Sequence, residues 1–230
     1  MSLETENKNL FLSILIELNR HKALDKLILI GSWCLPVYKS YFENDAQIPI
    51  KRTFDIDFLV PRPFHSKKEI NIPEILDKFN FKPVKSLIKH YTKYVHPDIE
   101  IEFLSPELGK GINKPLKIPE LYIETQTLRY LTFLQENTIR IKYENMSILV
   151  PEPTAFTLHK YLLSSLRQKE DNKAAKDLET ANEMAIFLVK IKSQVIKLKE
   201  LFQYLPKTWQ KKLIRIINDN NSILHDLLNK

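Results

Sequence analysis

The sequence predicts an α+β protein: a mixed sheet flanked by helices, followed by a C-terminal helical lobe. Three observations carry that prediction. The apolar run Leu27-Ile28-Leu29-Ile30 stops at Gly31-Ser32, where a helical pattern begins. The segment Phe54–Val60 alternates apolar and acidic side chains with the period of a strand. After Pro153, apolar residues recur at helical spacing to the last residues.

Taken in chain order, Phe11–His21 reads as an amphipathic first helix. Its apolar stretch Leu10–Leu18 is far too short to span a bilayer. Leu27–Ile30 is a short buried strand, and Trp33–Phe42 is a helix with Leu35, Tyr38 and Phe42 on one face. In the strand Phe54–Val60, Phe54, Ile56, Phe58 and Val60 point into the core, so Asp55 and Asp57 share the other face. A helix follows over Pro73–Phe79. The strand Ile99–Leu104 turns Ile99, Ile101 and Phe103 inward and leaves Glu100 and Glu102 together on the opposite face, with Tyr91–Val95 as its hairpin partner. Glu43–Ile50 and Pro106–Pro119, the latter with Gly109, Gly111, Pro115 and Pro119, read as connections, and the second is expected to border the functional site. Thr138–Tyr143 and Met146–Val150 form a hairpin around Glu144-Asn145. In the helical part, Phe187, Leu188, Ile191, Val195, Leu198, Leu201, Phe202 and Leu205 are core positions. The expected domains are therefore residues 1–150 and 151–230.

Asp55 and Asp57 are the most informative residues. Two anions on one strand face repel unless a cation sits between them. Oxygen ligands at this spacing suit Mg²⁺, which takes one or two protein carboxylates and completes its shell with water and phosphate oxygens. Upstream, a strand ending in Gly31-Ser32 at a helix start offers backbone N–H groups, a hydroxyl and the positive end of the helix dipole to an anion. Together they point to a nucleotide. With only three glycines the chain has no glycine-rich phosphate loop of the Walker or dinucleotide-binding kind.

Composition narrows the class further. One cysteine, Cys34, excludes an internal disulfide framework and a cysteine-based zinc site, which predicts a cytoplasmic protein. Cys34 sits among apolar neighbours with no histidine close in sequence, so it is not read as a nucleophile. The six histidines lack metal-ligand spacing. The polar start Met1–Asn9, with two glutamates, does not read as a signal peptide. Formal net charge is +7, and residues 151–230 hold 14 Lys and Arg against 9 Asp and Glu, so they carry +5 of it. Lys207, Lys211, Lys212 and Arg215 lie near Trp209, a composition suited to a phosphate backbone and equally to a solvated helix face.

The pair Gly31-Ser32 and Asp55-Ile56-Asp57 resembles the motif of the DNA polymerase β-type nucleotidyltransferase superfamily. That resemblance implies that Ser32 and Gly31 contact the outer phosphates of an NTP and that Asp55 and Asp57 bridge two Mg²⁺ ions, for a two-metal nucleotidyl transfer. It also implies a third carboxylate on a later strand, for which Glu102, directly before Phe103-Leu104-Ser105-Pro106, is favoured over Glu100. Arg52 and Thr53 match the approach to the motif strand, where Arg52 reaches a phosphate or the acceptor, or caps the loop that precedes the strand. Pro153-Thr154-Ala155-Phe156-Thr157-Leu158-His159-Lys160 and Lys173-Ala174-Ala175-Lys176-Asp177 resemble two helices of bacterial nucleotidyltransferase-like proteins. Lys160 and Lys176 are accordingly candidates to balance phosphate charge, and Asp177 to pair with a nearby cation. The resemblance spans Leu27 to Ala181. It implies a Mg²⁺-dependent transfer of a nucleoside monophosphate from an NTP to a hydroxyl, on RNA or tRNA, an antibiotic or a protein. Some relatives act as toxins beside an antitoxin partner, and a homo-oligomer is equally compatible. From another class, a catalytically silent nucleotide- or nucleic-acid-binding module carries the same resemblance.

Overall fold

The computed structural model describes residues 3–43, 45, 47–49, 54–85, 91–109, 114–166 and 172–228. By internal packing the chain divides into one unit of Met1–Tyr41 with Lys51–Pro151 and a second of Phe42–Ile50 with Glu152–Lys230.

The first unit is α+β, as the sequence predicts. Its helices are α1 (Leu3–Arg20), α2 (Cys34–Tyr41), α3 (Ile72–Asp77) and α4 (Leu131–Glu136). Its strands are β1 (Ile28–Ile30), β2 (Asp55–Leu59), β3 (Lys82–Lys85), β4 (Thr92–Val95), β5 (Glu100–Pro106), β6 (Leu116–Ile118), β7 (Ile123–Leu128), β8 (Thr138–Tyr143) and β9 (Met146–Pro151). Among the described residues they form a mixed sheet in the order β3-β4-β5-β2-β1-β9-β8, with β7 joining β5 and β6 joining β7. β2 runs parallel to β5 and antiparallel to β1, while β4 and β5 form the expected hairpin. The hairpin of β8 and β9 also forms, with Tyr143 opposite Met146.

Alternation builds the core. Ile56, Phe58, Ile101 and Phe103 are buried on one face of β2 and β5, where Phe58 and Phe103 stack at 5.8 Å. Phe54 departs from the expectation of an inward side chain. The strand begins only at Asp55, and Phe54 lies before it, 65% exposed, its carbonyl accepting from the Glu100 N–H at 2.6 Å. Phe11, Ile14, Leu15 and Leu18 bury one stripe of α1, and Phe11 stacks on Trp33 at 4.1 Å.

α1 and α3 are tied by charge. Glu17, nearly buried, accepts from Lys78 at 2.8 Å and Arg20 at 2.7 Å, with His21 at 3.4 Å. The Lys78 hydrogen bond, more than any other contact, holds the Glu17 carboxyl below its ordinary value of 4.5. A depressed folded-state pKa contributes stability that is present above the unfolded value and lost as pH falls through the folded one. Glu17→Gln is therefore expected to be less stable than wild type near about pH 7, with the gap closing toward about pH 3. Urea unfolding at both pH values checks this, and a gap independent of pH contradicts it.

The second unit contains α5 (Pro153–Ser164), α6 (Asn172–Leu188), α7 (Lys192–Tyr204), α8 (Lys207–Asn220) and α9 (Ser222–Leu228). Pro153 occupies the first turn of α5, as its fixed φ favours, and Glu152 caps the helix by accepting from the Thr154 and Ala155 N–H groups at 2.7 and 3.0 Å. Every residue from Pro153 to Leu162 is buried, so α5 is the core helix of the unit. Of the predicted core positions, Phe187, Leu188, Leu198, Leu201, Phe202 and Leu205 are buried, while Ile191 and Val195 are half-buried around the break between α6 and α7. Phe42 packs with this unit, meeting Phe187 edge-on at 5.0 Å.

Candidate active site

β1 ends where its neighbour carries the motif acids. Ile30 pairs with Asp57 across the antiparallel β1–β2 ladder, so the chain leaving β1 turns directly beside Asp57. Gly31 makes that turn at φ +73°, a left-handed conformation that L side chains rarely adopt. A Cβ on Gly31 would collide with Asp57 Oδ2 and lie 3.3 Å from its Cγ, so the carboxylate rests on the bare Cα. Gly31–Trp33 forms a single 3₁₀ turn that runs into α2, and Ser32 is half-buried on it. The predicted strand, Gly-Ser and helix sequence is thus present, with the α-helix beginning at Cys34. Cys34 itself is buried and donates to the Leu29 carbonyl at 3.2 Å, a structural position.

The parallel β2–β5 ladder sets Asp55 opposite Glu100 and Asp57 opposite Glu102. All four are half-buried, alternating with fully buried apolar residues, so they share one face of the sheet. Two groups on β4 and just before it meet the glutamates. Lys93 donates to both Glu100 oxygens at 2.8 and 2.7 Å, and the Tyr91 hydroxyl donates to Glu102 Oε1 at 3.1 Å. The Glu100 hydrogen bond, outweighing burial, raises the Lys93 pKa, with Glu100, Glu102 and Asp55 adding their fields. Burial first, then Glu102, Glu100 and Asp57, pushes the Tyr91 phenol well above its ordinary range, so it remains a donor at neutral pH.

Sequence reasoning took Tyr91–Val95 only as a hairpin partner and missed both groups. A signal existed: with a turn over His96–Ile99, residues 91, 93 and 95 fall on the face of Glu100 and Glu102.

Among the described residues, no group of three or more His, Cys, Asp and Glu side chains is gathered closely enough to hold a metal ion by itself. The donors on the face are nonetheless all carboxylate oxygens, and Asp57 occupies a cradle that only glycine leaves open. That chemistry fits a hard divalent cation that keeps water and phosphate oxygens among its ligands.

Arg52 and Thr53 lie outside the described residues. Lys160 is buried in the helical unit and pairs with Asp177 at 2.6 Å, so its charge is already balanced, and Asp177 takes the structural role expected of it. Lys176 is exposed on α6. The connection after Pro106 contains β6, and its described part helps line a cavity of about 220 Å³ with Arg62, Glu107 and Thr127. That cavity lies where β5 and β7 end, several residues along the strands from Asp57 and Glu102.

A mixed sheet carrying acids in register beside a strand-Gly-Ser-helix turn defines a class, the nucleotidyltransferase-like α+β proteins. Residues 9–199 match the profile of a nucleotidyltransferase family, and the chain belongs to that family. Among solved structures it is similar to an antigenic nucleotidyltransferase-like protein from Paracoccidioides brasiliensis, with a TM-score of 0.50 and 14% identity over 96% of this chain and 91% of that one. It is also similar to the antibiotic-resistance factor ANT(2'')-Ia, with a TM-score of 0.44 and 11% identity over 87% of this chain and 99% of that one. No curated protein sequence matches the chain. Among the described residues no helix is long and apolar enough to cross a membrane.

Proposed function

We propose that this nucleotidyltransferase moves a nucleoside monophosphate from an NTP to a hydroxyl on RNA, using Mg²⁺ held by Asp55, Asp57 and Glu102. The observation that carries the reading is the register of Asp57 with Glu102 beside the Gly31 turn. Residues 1–150 form the catalytic domain and 151–230 a helical domain whose basic excess suits a nucleic-acid acceptor.

The Gly31 and Ser32 backbone and the Ser32 hydroxyl bind the outer phosphates of the NTP. Arg52 contributes there, and Lys176 balances remaining phosphate charge. Lys160 is engaged by Asp177, which favours a structural role for it over phosphate binding. Asp55, Asp57 and Glu102 would hold a divalent cation together with water and phosphate oxygens, and it would supply positive charge there and lower the pKa of the acceptor hydroxyl. Glu102 stands to take the hydroxyl proton. The acceptor oxygen bonds to the α-phosphorus as the bond to the β-phosphate oxygen breaks, releasing pyrophosphate.

Thermal unfolding with ATP, GTP, CTP and UTP, each with and without Mg²⁺, tests the nucleotide site. A ligand that binds only the folded state raises stability by mass action. One NTP is expected to stabilise wild type only with Mg²⁺, and a folded Asp57→Asn protein is expected to lose that shift. Absence of any shift moves the protein to the silent binding-module class.

A further inference from the structure

The second unit carries a stripe of cations that its own residues do not balance. In α8, Lys207, Lys211 and Arg215 recur every four residues and are exposed, while Leu213 and Ile217 turn inward. Successive charges stand about 6 Å apart along the helix axis. Among the described residues no carboxylate meets any of the three, and the Lys207 ammonium donates to the neutral Gln210 amide at 3.3 Å. The stripe works against its own helix. Like charges at i and i+4 repel. Lys207 stands in the first turn, at the positive end of the helix dipole, with no acid there to offset it, and Asp219 lies in the last turn at the negative end. Pro206, the N-cap, makes no side-chain hydrogen bond, so the helix start is uncapped. Just before it, Tyr204 at the end of α7 is 87% exposed, and Gln210 fixes the corner by donating to the Gln203 and Leu205 carbonyls at 3.1 and 2.8 Å.

We propose that this face of α8, together with Tyr204, binds single-stranded RNA, the three cations lying along successive phosphates and the tyrosine ring stacking on an unpaired base. The inference rests on RNA as the acceptor and names the surface that holds it. A polyanion relieves what the helix alone cannot: phosphates separate the repelling cations, and one at the first turn meets Lys207 and the dipole together. An aromatic ring left in water gains from the face of any base, which an unpaired strand offers and a duplex encloses. Local rules broken at several points of one exposed helix face mark a surface shaped for a partner rather than for stability.

The probe is a fluorescein-labelled single-stranded RNA of mixed sequence, its anisotropy followed against the full chain over a range of KCl concentrations, with chelator present and NTP absent. Lys207→Gln/Lys211→Gln/Arg215→Gln is expected to reduce the slope of log affinity against log salt by about 2, roughly 0.7 for each phosphate contact, and to bind on the order of 10²-fold more weakly in ~0.1 M KCl. Lys26→Gln/Lys117→Gln/Lys142→Gln removes the same charge from exposed positions of the first unit and is expected to keep the wild-type slope. Tyr204→Ala is expected to bind the single strand about tenfold more weakly at every salt concentration, with the slope unchanged, and to bind a duplex of the same sequence as wild type does. Tyr204→Phe, which keeps the ring, is expected to match wild type on both. A wild-type slope in the α8 triple variant, or an equal loss in the control variant, overturns the stripe. Wild-type affinity of Tyr204→Ala for the single strand overturns the stacking role. Capture on phosphatidylserine vesicles without binding of RNA makes this face a membrane contact and overturns the proposal. Because neither Mg²⁺ nor NTP takes part, these failures leave the nucleotide site standing, whereas RNA binding as expected without nucleotidyl transfer strikes the transferase reading and supports this surface.

Discussion

Gly31→Ala is expected to lower nucleotidyl transfer by about 10²-fold, the size of effect that follows when reacting groups are displaced by roughly an ångström. The substitution is small and the position is not. Gly31 sits at φ +73°, where an L residue meets a steric cost of roughly 1–2 kcal/mol. The added methyl also collides with the Asp57 carboxylate, which must leave its seat on the Gly31 Cα. The backbone of β2 cannot follow, because Asp57 is held between Ile30 on one side and Glu102 on the other. The displaced group is therefore the side chain that the proposed chemistry needs. Steady-state transfer by Gly31→Ala and Gly31→Ser, with circular dichroism as a check on folding, measures the effect. Full activity in Gly31→Ala would show that Asp57 does not act from the position it holds here.

The largest expected stability loss lies in the helical unit, at Lys160. Its side chain is about 90% buried and its ammonium meets Asp177 at 2.6 Å, with the Phe156 ring 5.6 Å away, and the pair ties α5 to α6. Breaking a buried pair by removing one partner strands the other charge, at a cost of about 3–5 kcal/mol. Lys160→Ala and Asp177→Ala are each expected to lose that much in urea unfolding. Lys160→Met/Asp177→Leu should recover most of it, because apolar side chains of similar size fill the site without a charge to desolvate. The activity of this double variant also separates two roles. If the pair is only structural, transfer survives in the stable double variant. If Lys160 serves the phosphates, transfer falls there although stability returns.

These two predictions divide along what the residues themselves revealed. The acidic face was legible because Asp55, Asp57, Glu100 and Glu102 interrupt apolar alternation at a period of two, a pattern with one geometric reading. Gly31-Ser32 was legible because an apolar run stopped there. The elements that escaped lack such contrast. β7 buries Ile123, Thr125 and Thr127, so two of its three inward positions are polar and the alternation is disguised. β3 is exposed at all four residues and carries Pro83 between lysine and valine, which suits an edge strand but gives no period. β6 is three residues long. Phe54 was misplaced because alternation was extended one residue beyond the strand, into a position where the backbone bends and the ring is exposed. Tyr91 and Lys93 required the register of β4 on β5, which depends on the length of the turn between them, a quantity that hydrophobic pattern does not supply. Lys160 was a candidate phosphate ligand, and its ion pair could not be read from the sequence, because a buried lysine and a functional one look alike until the partner on the next helix is located.

The central claim is that Asp57, seated on Gly31 and in register with Glu102, belongs to a site that transfers nucleotides. Its most direct test supplies wild type and Asp57→Asn with NTPs labelled at the α-phosphate, Mg²⁺ and total RNA, and follows label incorporation together with pyrophosphate release. The expected result is Mg²⁺-dependent labelling of RNA by wild type and none by a folded Asp57→Asn protein. Labelling by Asp57→Asn at the wild-type rate would contradict it.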